Sequence, residues 1–494
     1  MIVGIDFGTS TSAVACLGDD GEPEILVNAE GDRLTPSAVY FEPGSDRKLV
    51  GARALAAEDP GRTVRRVKRL IDDPDQVWEF DGRQWTPAEV AALVFSKLKR
   101  DAREQMGPFY DVVLTVPANF NELARRNLVA AATMAGLNVV RLVNEPTAAA
   151  LYYAHAHGVR GRVLVYDLGG GTLDVTIMDV TADGVRILTS EGARHLGGTD
   201  FDDLLLEVYA DRCRKLAGID LMGEERLRWQ GLDAAEQIKW LLSEHESVAS
   251  GIGSGDNGEI EVELTRDLFE EVVERQLLRS MMLVEQALDS AGIRAQDLDH
   301  VCLAGGSTRI PMVRQLLERT LGKAPEACEN VEECVALGAA LFAGRGGGSV
   351  KDVANTSYGT LALICNAETG EERLMNRIVI HKDTPLPCEF SQTFETSEDD
   401  EQDITVDITQ GEDEDPRYVD VVGRVSLQVP PGRPAGCRIS VFYRYDTGQR
   451  VHATIVDHDS GLSHQGTIVY QGRGILSESE IRLRGSYLRE LPIE

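Results

Sequence analysis

The sequence predicts an α/β domain over residues 1–345 and an all-β sandwich over residues 357–475, joined by a flexible polar linker at 346–356. Three observations carry this. Up to about residue 345, short apolar runs alternate with amphipathic stretches of helical period, the pattern of strands interleaved with helices. At "GRGGGSVKDVANTS", residues 344–357, the composition turns to glycine and polar residues. Beyond it the apolar residues recur with period two, as in antiparallel strands buried on one face. A chain of 494 residues is also too long for one compact core.

The elements follow in order. "MIVGIDFG", "SAVACLG", "DVVLTVP", "RVLVYDLGG" and "LDVTIMDV" read as strands. "TPAEVAALVFSKLKRDAREQM" is an amphipathic helix with Thr86 as N-cap and Pro87 at its first position. "NELARRNLVAAATMAG" is a second helix, ended by Gly136, and the long stretch from Thr265 to Gly292 is a third. In the β part, Ile404, Val406 and Ile408 share one strand face. Val425, Leu427 and Val429 share another, as do Ile439, Val441 and Tyr443, and then Val451, Ala453 and Ile455. "DTGQ" and "DSG" are turn signals between strands. The acidic runs "SEDDEQD" and "GEDEDPR" read as solvated loops. Residues 476–494 predict a short tail with a helix capped by Ser477.

Charge and cysteine content narrow the function. A net charge of −31 argues against nucleic acid or an anionic membrane as partner, since both would repel the chain. The Arg-rich segment at 62–69 is the one local exception. The eight cysteines are scattered, with no CxxC pair and Cys328 and Cys334 nearest one another, which favours reduced thiols over a metal site. The N-terminus shows no leader pattern and no apolar run is long enough to span a bilayer, so a cytoplasmic location is expected.

The chemistry-bearing stretch is "LVYDLGGGTLDVTI", residues 164–177. An apolar strand ends at Asp167, passes three glycines, meets Thr172 and Asp174, and becomes a second strand. "GIDFGTSTSAVA" repeats the design: Asp6 ends a strand, Gly8 turns it, and Thr9, Ser10 and Thr11 supply hydroxyls. Glycine in such turns lets backbone N–H groups approach a phosphate, and the carboxylates suit a hydrated magnesium ion beside it. Two such hairpins suggest a duplicated fold whose halves face each other across a cleft. A third piece, "VCLAGGSTRIPMVRQLL", runs from a strand through Gly305, Gly306 and Ser307 into a helix with Pro311 in its first turn, a ready site for an anion or nucleoside. Neither GxxxxGK[ST] nor a placed GxGxxG is present, so these are not P-loop or dinucleotide folds.

These segments resemble the phosphate, connecting and adenosine motifs of the actin-like ATPase superfamily, with its duplicated ribonuclease-H-like core. Within it they are similar to the DnaK-type heat-shock chaperones. The strings that carry the resemblance, in family order over residues 2–345, also include "VLTVPANFNELARRN", "AGLNVVRLVNEPTAAALYYA" and "HLGGTDFDD". In the β part "SQTFET", "ITVDITQGE" and "VDHDSG" resemble the family's peptide-binding sandwich. The resemblance implies ATP or ADP with Mg2+ as ligands, K+ as a further candidate ion, and slow hydrolysis by positioning and electrostatics. It places Asp6, Asp167 and Asp174 around the metal, its waters and phosphate. It gives Lys68 the γ-phosphate or the attacking water, and Glu145 a role near the metal and water. Gly8 to Thr11 and Gly169, Gly170, Gly171 and Thr172 would cradle the phosphates. Glu236, Lys239, Trp240 and Ser243 would hold the adenosine from one side, with Trp240 standing where relatives often carry an arginine. Gly305, Gly306, Ser307 and Arg309 would close the other side. Phe394, Ile404 and Val406 would line the peptide pocket, although strand alternation alone reads them as core.

Taken singly, an Asp at a strand end is most often a turn residue, and Lys68 would be a surface lysine; the joint pattern is what points to phosphate chemistry. His155 and His157 are two apart on a helix and do not share a face. His195 reads as a loop residue. Three departures from the family pattern stand out. The linker lacks the usual leucines, which predicts weak coupling between the two parts. Only about twenty residues follow the sandwich, so a helical lid is absent and bound peptide is expected to exchange fast. "ICNAETGEERLMNRIV" is a longer charged loop, and Arg450 falls near a position usually aliphatic.

The reading is an ATP-dependent chaperone that binds extended or unfolded polypeptide, with a J-domain co-chaperone and a nucleotide exchange factor as further partners. The alternative is an ATP-switched adaptor whose β domain holds one dedicated protein. A small-molecule kinase on the same core is less favoured, because the second domain is a trailing sandwich.

Overall fold

The computed structural model describes residues 2–253, 259–326, 330–344, 350–365, 372–446, 451–467 and 476–494. Two mixed sheets organise the first part. One holds Val3–Phe7 (β1), Thr11–Leu17 (β2), Pro23–Leu26 (β3), Asp111–Val116 (β4) and Asn138–Asn144 (β5), in the order β5-β4-β1-β2-β3 with Thr35–Pro36 paired to β2. The other holds Gly161–Leu168 (β6), Leu173–Thr181 (β7), Gly184–Ala193 (β8), His300–Ala304 (β9) and Val350–Lys351 (β10), in the order β9-β6-β7-β8-β10. In each sheet an antiparallel hairpin, β1–β2 or β6–β7, continues into a third antiparallel strand. In each, the first strand of that hairpin also pairs in parallel with a strand from much later in the chain. The shared order is the duplication that the two glycine hairpins suggested.

The helix starts and stops are those the sequence marks. Pro87–Met106 (α1) opens with a capping box between Thr86 and Glu89. Glu122–Met134 (α2) is capped by the Asn121 side chain, which accepts from the Ala124 N–H at 2.8 Å, and ends before Gly136 at φ 76°. The helix Arg266–Ser290 is capped by Thr265 and closed by Gly292 at φ 64°. Two further helices are Glu145–Ala156 (α3) and Cys334–Gly344 (α8), the second apolar on every side, so that it shows no amphipathic period. They share one core with residues of both sheets, among them Ala13, Val113, Val163 and Cys302. The fit is close enough that a Cβ on Gly338 would lie 1.8 Å from the Ala148 carbonyl oxygen. The remaining named helices are Gly198–Ala217 (α4), Glu225–Glu244 (α5), Pro311–Leu321 (α7) and the third amphipathic helix above (α6).

The β part is two four-stranded antiparallel sheets over one core. The strands are Tyr358–Cys365 (β11), Glu372–Ile380 (β12), Cys388–Glu395 (β13), Asp403–Gln410 (β14), Asp420–Gln428 (β15), Arg438–Tyr445 (β16), Val451–Asp457 (β17) and Ser463–Thr467 (β18). Their orders are β12-β11-β14-β15 and β13-β16-β17-β18. The period-two faces from Ile404 to Ile455 supply the inner surfaces, as expected. Alternation does not mark β11 and β12 as strands, while Phe394 falls on a strand, β13, as read.

The two parts touch. The segment read as a flexible linker is, from Val350, an edge strand: β10 pairs in parallel with β8, and Val353 just after it is buried. Main-chain pairing asks for no leucine. Residues 346–349 of the expected linker, with Cys328, Arg450 and much of the charged loop at 366–371, lie outside the described residues. Across the same junction Lys382 Nζ stands 2.6 Å from Glu191 Oε1, and the Thr189 hydroxyl donates to Asp383 at 3.1 Å. The Asn144 amide donates to Asp352 at 3.0 Å.

The tail is not loose either. Glu478–Glu490 (α9), capped by Ser477, packs on α1 and α2. Leu488 and Leu491 enter the core of the first sheet, and Glu494 exchanges backbone bonds with Lys48 and Val50 at 2.9 and 2.7 Å. Among the described residues no helix is long and apolar enough to cross a membrane. Leu488→Ala should weaken tail docking by about 2–5 kcal/mol through loss of a fully buried side chain. Limited proteolysis should then cut before residue 478 far faster than in the wild type.

Candidate nucleotide-binding site

The glycine hairpins place their turns against one another. A Cβ on Gly170 would lie 2.4 Å from Ser10 Oγ, and one on Gly171 2.5 Å from Thr9 Oγ1. Only glycine permits that approach. Gly305, at φ 82°, comes as near: its Cβ would meet the Leu168 carbonyl oxygen at 2.4 Å. Three loops thereby surround a cavity of about 580 Å³ between the two halves.

Most of the residues singled out by sequence line it. Asp6, Gly8, Thr9, Ser10 and Thr11 come from the first hairpin, and Asp167, Gly169, Gly170, Gly171 and Thr172 from the second. Lys68 and Glu145 close the floor. Glu236, Lys239, Trp240 and Ser243 form one side from α5, opposite Gly305, Gly306 and Ser307. Lys239 is fixed by Asp202 at 2.6 Å, whereas the Trp240 indole is 62% exposed and open to stacking. Two candidates are off the wall. Asp174 lies across the hairpin from Asp167, fully buried, and accepts from the Asn119 N–H at 3.2 Å. Arg309 turns to Glu332 at 3.2 Å, and the Glu332 side chain lines the cavity in its stead.

The floor is a buried charge cluster. Lys68 Nζ is 2.6 Å from Glu145 Oε1, with both side chains almost wholly buried. The Thr115 hydroxyl donates to Asp6 at 2.7 Å. Asp167 Oδ2 is buried with no hydrogen-bond partner. Burial pushes the carboxyls up: Glu145 to about 7, Asp174 to about 6, and Asp6 and Asp167 also above their usual range. Burial disfavours the Lys68 ammonium as well, but Glu145 and Asp6 outweigh it and raise its pKa. Four buried acids thus interact with Lys68, and Asp174 also with the buried Arg125. The orphaned Asp167 oxygen and the surplus of carboxylate fit a hydrated cation. Among the described residues no three His, Cys, Asp or Glu side chains converge as direct ligands, so the carboxylates would hold it through water.

The basic segment at 62–69 is spent inside the molecule. Arg65 pairs with Asp233 on α5, Arg66 with Asp203 and Arg69 with Asp200 on α4, while Arg62 pairs with Asp81. Three of these bonds join one half to the other, so the segment stitches the cleft. Sequence reading missed Arg65, Asp233, Thr115 and Glu332, since nothing local ties residues so far apart. The Gly197–Gly198 pair beside the cradle was visible in "HLGGTDFDD". In the β part, Ile404 and Val406 are buried in the sandwich core, as alternation indicates, and Phe394 is half-buried at its rim.

A duplicated α/β core with a glycine-lined, carboxylate-floored cleft defines a nucleotide-binding protein carrying a docked β module. The Hsp70 protein family model matches residues 2–484, and the chain belongs to that family of ATP-hydrolysing chaperones. It is 35% identical to the chaperone protein DnaK of Thermotoga petrophila over 97% of this chain and 82% of that one. The same identity and coverage hold for the chaperone protein DnaK of Thermotoga maritima and of Thermotoga neapolitana.

Replacing Lys68 by methionine should lower single-turnover ATP cleavage by about 10²–10³-fold, the loss typical of one preorganised charge-stabilising donor. Quenched-flow cleavage and equilibrium ATP binding, measured side by side, check that cleavage falls far more than affinity.

Proposed function

We propose that this protein is an ATP-driven polypeptide-binding chaperone, built as an actin-like ATPase domain whose nucleotide state is passed to a β-sandwich through a paired edge strand. The observation that carries the reading is the cleft itself, with phosphate cradles from both halves and a buried Lys68–Glu145 pair beside Asp6 and Asp167. ATP or ADP would lie with its base near Trp240 and its phosphates between the two glycine turns. Magnesium, when bound, would supply charge neutralisation beside Asp6 and Asp167, with Asp174 supporting from behind, and K+ remains a candidate second ion.

Lys68 would hold the terminal phosphate or a water. Glu145, paired with it and held near neutral pH, would orient that water. Thr172 and Thr9 would donate to phosphate oxygens, and Asp167, with an unpartnered oxygen, would fix the hydration of the ion. No covalent intermediate is required.

Extended or unfolded polypeptide is the proposed ligand of the sandwich, with Phe394 the most accessible of its three candidate contacts. A J-domain co-chaperone and an exchange factor are the proposed regulators. The dedicated-adaptor reading is not better supported, since β10 is attached to β8 through backbone pairing that needs no apolar linker residue.

Peptide release, followed with a fluorescent extended peptide, should be faster with ATP than with ADP. Lys382→Ala, which removes the ion pair to Glu191 across the junction, should cut that acceleration severalfold and leave release in ADP unchanged. Release indifferent to nucleotide in the wild type would contradict a coupled chaperone.

A further inference from the structure

Behind the nucleotide cavity lies a second, smaller one of about 30 Å³. Lys68, Thr9 and Thr172 line both, so these three side chains are the partition between them. The second cavity runs outward. Lys68 and Thr9 are buried, Arg69 keeps 14% of its side chain exposed, Arg194 keeps 31%, and His195 is exposed. It is therefore a short passage from the deepest point of the cleft to solvent, on the side away from α5 and Trp240.

The two mouths differ in charge. The front cavity is lined by six acids (Asp6, Glu145, Asp167, Asp233, Glu236 and Glu332) against Arg65, Lys68 and Lys239. The rear passage is lined by Lys68, Arg69 and Arg194 against Asp72 alone. An anion set free at the partition is repelled forward and drawn backward. Nucleotide bound from the α5 side would also stand in the front path, with its last phosphate innermost.

We infer that the rear passage is the exit for inorganic phosphate after cleavage, gated by the Arg194–Asp72 ion pair. The inference rests on the ATPase reading of the cleft and adds the route that its product takes. Cleavage leaves ADP and inorganic phosphate, the attacking water supplying the new oxygen and its proton passing to phosphate or solvent. At 30 Å³ the passage has room for about two waters. A tetrahedral phosphate needs more, so the gate must open. Arg194 Nη1 is bonded to Asp72, which also accepts from the Asn121 amide at 3.1 Å, and Arg194 Nε donates to the Asn119 carbonyl at 3.3 Å. Opposite it, Arg69 is held by Thr199 at 2.5 Å and Asp200 at 2.9 Å at the start of α4. That segment also touches the cradle, since the Thr199 N–H donates to the Gly170 carbonyl at 2.7 Å. One wall of the passage is thereby fixed to the cradle, and the Arg194–Asp72 ion pair closes the other, with Arg194 the more exposed of the two arginines.

The test uses the full chain with ADP bound and beryllium fluoride as the phosphate-like anion, which must reach the partition while ADP blocks the front. The rate of trapping is followed by retention of labelled ADP. Trapping in the wild type should be faster than ADP dissociation. Asp72→Asn and Arg194→Ala, which break the gate from either side, should each speed it by about tenfold, with the ADP dissociation rate unchanged. Trapping that waits for ADP to leave, or rates within twofold of wild type in both variants, would overturn the rear exit. A wild type that failed to bind ADP at all would instead sink the ATPase reading.

Discussion

The molecule is organised around a surplus of buried negative charge. Asp6, Glu145 and Asp167 line the floor of the cleft with Asp174 behind them, and Lys68 is buried among them while the buried Arg125 acts on Asp174. Burial costs their charged forms solvation, so each carboxyl is pushed toward its neutral form. On the reading proposed above, a hydrated cation arriving with a polyphosphate would balance this charge, and the glycine turns would let that polyphosphate come close.

The same cleft is tied shut from several directions. Arg65, Arg66 and Arg69 reach from the first half to acids on α4 and α5. The β module is held at both ends: β10 extends the second sheet, and α9 returns to the first. A shift of the two halves around a nucleotide would bear on both attachments, and main-chain pairing together with the packing of α9 is the route proposed for the coupling.

Much of this was legible in the sequence because the decisive signals are local. Strand–turn–strand with Asp, glycines and hydroxyls placed both hairpins and most of the cavity lining. Thr86, Asn121 and Thr265, with Gly136 and Gly292, bounded three helices correctly. Period two found the sandwich core and read Ile404 and Val406 as its members. What escaped has no local signature. The helix α8 is apolar all round, so it has no period to detect. Arg65 meets Asp233, and Arg194 meets Asp72, over separations that only the fold supplies. The linker misled because its side chains are polar, while its attachment is through the backbone.

The most direct test of the charge argument is the affinity for ATP with and without magnesium, by titration calorimetry on the full chain. With the ion chelated, ATP should bind at least roughly 100-fold more weakly, since its phosphates then face the carboxylates unshielded. Equal affinity in the two conditions would mean that the carboxylate floor does not govern the site.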